Sequence, residues 1–229
     1  SGRSTLTISK SSARGMPFGA NIKTGDARIS GSLASLVGLE AALEAQDEEA
    51  VGTAIKTIVL LHSVILSFGG LPLMYYGDAI GTLNNLEFLT DPVTQNDSRW
   101  VHRSRFDWDK AEKRHQTGTV EQRIFSALKK LIALRKEIPA FADFDNRHLL
   151  LVDNPNLLVF YRTDPENSHG RVLVISNFNV EAQQIPVDAL RPHGFFAHES
   201  MTDLCSCERV PMEEDQMTIP ALSSFWLKD

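Results

Sequence analysis

The chain has 229 residues, 42% of them hydrophobic, enough for one large or two small domains with cores of their own. A net charge of −6, from 29 acidic and 23 basic residues spread along the chain, argues against a nucleic-acid partner, which would select a basic face. Cys205 and Cys207, the only cysteines, exclude a disulfide framework and are too few for a closed zinc site.

Residues 1–32 are rich in Ser, Gly, Thr and Arg without a sustained period and read as loop. The start SGRSTLTISK lacks the apolar run of a signal peptide, and no segment reads as the roughly 20 apolar residues of a membrane span. No membrane partner is expected, and a cytoplasmic location is expected over a secreted one. From Leu33 to Phe68 the apolar positions Leu36, Leu39 and Leu43, then Ile55, Ile58, Val59, Leu61, Val64 and Ile65, recur at three and four residues. The acidic QDEE interrupts them, which predicts helix, turn or kink, then a very apolar second helix stopped by Gly69-Gly70. His62 reads as a core histidine, because no second His or acid follows at i+3 or i+4.

The largely apolar run Leu71 to Tyr76 predicts a buried strand that ends at Gly77-Asp78 before a long polar loop. Such a strand, delivering an acid to a loop at its C-terminal end, is how an α/β barrel builds an active site. An eight-stranded barrel needs roughly 200 to 250 residues. Here only the part up to about residue 145 has α/β character, with one convincing parallel strand, so the chain reads as the downstream piece of an enzyme. The loop runs to about 35 residues where 2 to 6 is usual, and its Trp100, Phe106 and Trp108 favour order over a linker. Thr119 to Glu137 predicts a helix with Ile124, Leu128, Leu131, Ile132 and Leu134 on one side, ended by Pro139. Its opposite side, with Arg123, Lys129, Lys130 and Lys136, reads as a solvated face. Beyond Phe144 come the short runs LLLV, NLLVFYR, RVLVISNFNV and SSFWLKD, separated by Asn, Pro and Gly clusters, which predict an antiparallel sandwich beginning between Ala142 and Arg147.

Three places carry candidate chemistry. Asp26-Ala-Arg28 reads as a surface ion pair or Asx-turn, or as part of a site. In Asp97-Ser98-Arg99-Trp100, an arginine beside an aromatic could stack and donate several bonds to sugar hydroxyls or a carboxylate, or it could hold the loop down as a salt link. Asp78, where the strand ends, is a capping acid or a catalytic one. No Ser-His-Asp order, phosphate loop or histidine-rich metal spacing occurs, and the basic knot Arg99, His102, Arg103 and Arg105 is too small to override the acidic total.

The segments ARGMPFGANIKTGDARISGS, GGLPLMYYGDAIGTLN, NDSRWVHR and SSFWLKD, taken together, resemble the amylosucrases, sucrose-consuming members of the α-amylase family. The strand motif alone is common to that family, whereas TGDARISG and NDSRWVHR point to amylosucrase or its close relative, sucrose hydrolase. The resemblance implies a (β/α)8 TIM barrel followed by an antiparallel β-sandwich domain. Residues 1–32 would be a barrel loop region, of which 1–11 read unlike the family. Residues 33–143 would be the C-terminal segment of the catalytic barrel, with Leu33 to Phe68 as the seventh helix, Leu71 to Tyr76 as the eighth strand and Thr119 to Glu137 as the eighth helix. Residues 144–229 would be the sandwich.

The resemblance also implies sucrose and α-glucan as partners, no cofactor and no metal. Retaining glycosyl transfer needs a carboxylate nucleophile and a carboxylic acid/base; in amylosucrases these and a third aspartate precede the region matched here. No catalytic residue is therefore assigned in this chain, and alone it is expected to be inactive. The matched sugar-binding residues are Asp26 and Arg28, on a loop facing the fructosyl and acceptor side, and Arg99, paired with an upstream aspartate and touching glucose. Asp78 and Trp100 are expected to line the site. Ala79 stands where the family carries Glu, and Ser104 where it carries proline. Sucrose hydrolase, with water as acceptor, is the alternative within the class, and a non-catalytic carbohydrate-binding or interaction module the alternative outside it.

Overall fold

Helices and 3₁₀ turns make up most of the first half of the chain and antiparallel strands most of the second, in a computed structural model that describes residues 12–167, 170–195 and 200–228. Residues 1–11, expected as loop, lie outside the described residues. The chain divides into two compact units: one holds the described residues through Ile58 together with Tyr75–Ile124, the other Val59–Met74 and the residues from Phe125 on.

In the first unit, β1 (Met16–Phe18) and β2 (Arg28–Ser30) pair antiparallel, with Phe18 opposite Arg28. The expectation of loop throughout residues 1–32 is corrected here: three-residue strands are too short to establish a period of two. Ser32 caps α1 (Leu33–Leu36) by accepting from the Ser35 N–H at 3.3 Å, and α2 (Leu39–Ala45) follows. The turn expected at QDEE lies at Gln46-Asp47, where Gln46 ends α2 in a left-handed conformation, and the two glutamates open α3 (Glu48–Ser67): Asp47 accepts from the Ala50 N–H at 3.0 Å, and Glu48 and Glu49 lie in the first turn, where the helix dipole favours negative charge. By length and composition α3 could cross a membrane, which corrects the sequence reading; half of its apolar window is buried within the structure.

Leu71 to Tyr76 does not form a strand. Tyr75 is extended (φ −73°, ψ 133°), but Leu71 and Leu73 are 78% and 86% exposed and no strand among the described residues pairs with this segment. A parallel strand exists only through its ladder to neighbours, so its apolar residues alone cannot make one. The long loop after it is a series of 3₁₀ turns (Tyr76–Ile80, Glu87–Thr90, Ser98–His102) leading to α4 (Trp108–Glu112), capped by Asp107. Asn84 holds this loop in place: its Oδ1 accepts from Ser32 N–H at 2.8 Å and its Nδ2 donates to Arg14 O at 3.0 Å. The helix α5 (Val120–Glu137) begins on Thr119, whose Oγ1 accepts from Gln122 N–H at 3.2 Å.

The second unit carries β3 (Arg147–Leu150), β4 (Leu157–Thr163), β5 (Arg171–Asn177), β6 (Gln183–Pro186), β7 (Ser200–Asp203), β8 (Glu208–Pro211), β9 (Gln216–Ile219) and β10 (Ser224–Lys228). Six form one antiparallel sheet in the order β3-β4-β5-β10-β7-β8, and β6 pairs with β9 in a second. Val159, Leu173, Ile175 and Leu227 of the large sheet share a core with Ile185, Met217 and Ile219 of the small one, a sandwich packing. The opposite side of the large sheet is also covered: Trp226 meets Phe141 edge-to-face at 5.0 Å and Phe160 meets Phe68 at 5.3 Å. Burial on both faces explains why β5 reads as a continuous apolar run instead of an alternation.

Three arginines close the C-terminal end of α3. Arg135 donates to Leu66 O, Arg162 to Ser67 O at 2.7 Å and Arg147 to Phe68 O at 2.8 Å. Beyond them Gly69 (φ +120°) has the Phe144 carbonyl oxygen only 2.9 Å from where a Cβ would sit, a place that only glycine fits.

Candidate functional site

Of the candidate residues, Arg99 has the most developed surroundings. Asp97 caps the Ser98–His102 turn by accepting from the Arg99 N–H at 3.0 Å, and the same carboxylate takes Arg99 Nε at 2.8 Å and Nη2 at 2.8 Å. This is a two-pronged bond between planar groups. It holds Asp97 down from 3.8 to about 2, through hydrogen bonds from Arg99 first, and raises Arg99 in return. The guanidinium lies 5.1 Å from the centre of the Phe18 ring. Asp97 and Arg99 thus form a fixed fork on an aromatic plate, and among the described residues Arg99 Nη1 makes no hydrogen bond. The resemblance implies an upstream acid as the partner of Arg99; the partner observed is Asp97.

The turn is tied down on both sides. Ser98 Oγ donates to Pro17 O at 2.9 Å, which fixes the turn to β1. Beyond it, the Tyr75 hydroxyl donates to His102 O at 3.1 Å and the Tyr76 hydroxyl to Ser104 O at 2.7 Å. Burial and the hydrogen bond with Tyr76 push the Tyr75 phenol up to about 12, and burial beside the charge of Arg103 pulls the His102 imidazole down. Gly77 has Tyr75 Cε1 2.7 Å from a notional Cβ, so a side chain there would displace the ring that makes the first of these ties.

The remaining candidates divide around this turn. Arg28 stands opposite Phe18 in the hairpin register, so β1 brings Arg28 and Arg99 to one neighbourhood. Asp26 lies exposed on the hairpin loop, where its N–H donates to Thr24 Oγ1 at 3.3 Å. No ion pair joins Asp26 to Arg28 among the described residues, so the reading of that pair as a local salt link is not what the structure shows. Asp78 sits half-buried in the Tyr76–Ile80 turn beside Tyr75, with Ala79 next to it. Trp100 carries the Arg103 guanidinium 5.4 Å from its ring centre.

A cleft of about 530 Å³ opens along β1 and the Gln95–Arg99 segment, walled by Phe18, Phe88, Asp97 and Arg99. Its chemistry is that of a binding wall: a fixed cation, an aromatic face and an anchored carboxylate can orient hydroxyls. It offers no pair of carboxylates at the spacing that retaining glycosyl transfer uses. Sequence reasoning overlooked Phe18 and the two tyrosine hydroxyls. Phe18 has no local signature, and Tyr75 and Tyr76 fall in the apolar run that the sequence predicts as strand.

No family profile matches the sequence. Over 136 residues, 59% of this chain, it is 31% identical to the cyclomaltodextrinase of Geobacillus thermopakistaniensis, and this stretch is 19% of that protein. Among solved structures it is similar to the pullulanase of Bacillus acidopullulyticus (TM-score 0.57, 18% identity, 87% of this chain and 23% of that one). It is likewise similar to the Group B Streptococcus pullulanase SAP (TM-score 0.58, 14% identity, 87% and 31%) and to AmyP in complex with maltose (TM-score 0.56, 11% identity, 76% and 34%). The chain therefore spans about a fifth of its curated relative and no more than about a third of these structures. Its fold is that of the C-terminal part of α-amylase-family proteins, a barrel segment followed by an antiparallel β domain. Neither the sequence likeness nor the shared fold singles out amylosucrase.

Proposed function

We propose that this chain is the C-terminal part of an α-amylase-family glycoside hydrolase acting on α-glucans, and within it of an amylosucrase-like enzyme that cleaves sucrose with retention and passes glucose to an α-1,4-glucan. The observation that carries the reading is the fork of Asp97 and Arg99 over Phe18, with Arg28 across the hairpin. An arginine fixed by a carboxylate is aimed before the sugar arrives, so it discriminates between hydroxyl positions instead of merely attracting charge. The finer, sucrose-specific reading is supported by TGDARISG and NDSRWVHR, the segments that hold Arg28 and Arg99.

In this reading the residues here bind and orient. The attack on the glucosyl carbon and the protonation of the departing fructose belong to carboxylates upstream, and the 229-residue chain alone turns over nothing. The deciding experiment supplies the full-length parent with sucrose and, separately, with maltooligosaccharides. Fructose release accompanied by glucan elongation supports the sucrose-specific reading; hydrolysis of maltooligosaccharides with sucrose untouched leaves the family reading and removes the amylosucrase one. Inactivity on both removes both.

A further inference from the structure

Two consecutive residues of β1 are tied to two consecutive residues of the Ser98–His102 turn. Ser98 Oγ donates to Pro17 O at 2.9 Å, and the Arg99 guanidinium lies 5.1 Å from the centre of the Phe18 ring. Phe18 has a second neighbour, because it is the Cα partner of Arg28 in the β1–β2 ladder. Residues directly opposite in an antiparallel pair send their side chains from the same face, with Cβ atoms about 4.5 to 5.5 Å apart. We propose that Phe18 is a positioning residue that couples Arg28 to Arg99, so that the two arginines address the sugar as one unit; its effect on products rests on the sucrose reading above.

The fork alone does not place Arg99. Asp97 belongs to the same turn and moves with it, so the bonds between the two fix the guanidinium to the turn and not to β2. Burial does not fix it either, since the Arg99 side chain keeps 47% of its surface exposed. The tie to the hairpin is the two-point contact with β1, one hydroxyl bond and one aromatic face against a cation. β1 is in turn registered on β2: Met16 pairs with Ser30, Pro17 with Ile29 and Phe18 with Arg28, and Ser30 is buried. The hairpin connection is closed on itself, with Asn21 N–H donating to Asp26 O at 2.8 Å and Gly25 N–H to Asn21 O at 2.9 Å. Arg28 therefore leaves from a fixed point. Asp97 balances the charge of Arg99, which lets a second arginine share the neighbourhood without the cost of unscreened like charges. Phe18 also walls the cleft of about 530 Å³, so the coupling runs along the surface that a ligand meets.

The test compares, in the full-length parent, Phe18→Leu, which keeps an apolar side chain and loses the ring, with Phe18→Tyr, which keeps the ring. Phe18→Leu should slow sucrose cleavage and raise free glucose relative to polymer, each about two- to fivefold, the size of one exposed cation–ring contact. Phe18→Tyr should stay close to the original in both. In an Arg28→Ala background Phe18→Leu should leave the product ratio where Arg28→Ala has put it, because residues that act through one another are not additive. A leucine variant indistinguishable from the original, a tyrosine variant no better than leucine, or ratio changes that simply multiply would each overturn the proposal. Should Phe18→Leu fail to fold by circular dichroism, Ser98→Ala takes its place. It removes the other tie to β1, and the bond it deletes is exposed, where water can replace the hydroxyl. The same dependence on Arg28 is expected of it, and plain additivity overturns the proposal. A parent that leaves sucrose untouched removes the sucrose reading alone. Hydrogen exchange at Arg99 Nε in the 229-residue chain then decides: about two- to fivefold faster exchange with leucine and an unchanged rate with tyrosine support the coupling, and an unchanged rate with leucine overturns it.

Discussion

The guanidinium of Arg162, fully buried, donates through Nη1 to the main-chain oxygen of Ser67 at 2.7 Å. Its other nitrogens reach the carbonyl of Asp143 and the side-chain oxygen of Asn146. Burial, with Arg135 and Arg147 close by, pulls this arginine down to about 10, so what opposes its desolvation is a set of oxygens including the negative end of the α3 dipole. Replacing Arg162 by Met strands those acceptors, at an expected loss of about 3 kcal/mol or more. Arg162→Lys should lose nearly as much, because one ammonium cannot serve three directions. Urea denaturation of the 229-residue chain measures both, and a lysine variant as stable as the original would show that charge alone suffices.

The Asp97 carboxyl should titrate near 2, well below its usual 3.8, and Arg99→Ala should return it toward the usual value. The sign follows from the depressed folded value: the fork contributes its stability above about pH 4, and that contribution is lost as pH falls toward 2. Carbon-detected NMR of the carboxyl follows this directly. A midpoint near 4 in the unaltered chain would mean that the fork is open in solution.

In the full-length parent, Arg99→Lys should be almost as damaging to sucrose cleavage as Arg99→Ala, each losing roughly ten- to a hundredfold. A lysine keeps the charge but cannot grip Asp97 with two prongs and still present a free edge. Activity retained by lysine would reduce the site to simple charge attraction; an early melt in both variants would make Arg99 a loop anchor.

Arg28→Ala in the parent should change where the glucose goes more than whether sucrose is cleaved. Loss of one charge-assisted donor is worth about 1.5 to 3 kcal/mol, and Arg28 stands beside the fork, across β1 from it. The expected readout is more free glucose and less polymer per fructose released. An unchanged product ratio with unchanged sucrose kinetics would place Arg28 outside the site.

Long, strongly periodic segments were legible from sequence. Ile124, Leu128 and Leu131 of α5 are all buried as their spacing predicts, and the apolar runs of β4, β5 and β10 became the centre of the large sheet. Short elements were not: β1 and β2 have three residues each, and β6 and β9 four, with too few positions to show a period. At the site, the arginine beside Trp100 stood out because its neighbours in sequence share its chemistry. What anchors its turn did not, since the bond from Ser98 to Pro17 spans 81 residues and leaves no local mark.

The two hydroxyl bonds from Tyr75 and Tyr76 close the intervening segment across 27 and 28 residues. In polymer terms the chain between them is a ring whose closing entropy grows only with the logarithm of its length, about 0.6 kcal/mol for each doubling. Extra residues near the exposed Pro92-Val93 corner should therefore cost little, while Tyr→Phe at both anchors should loosen the whole ring. A four-residue Gly-Ser insert at that corner with an unchanged melting temperature would agree; a large drop would mean that the corner itself holds the loop. The length of this segment is thus a variable that the fold leaves open to lineage drift, and its two ends are not.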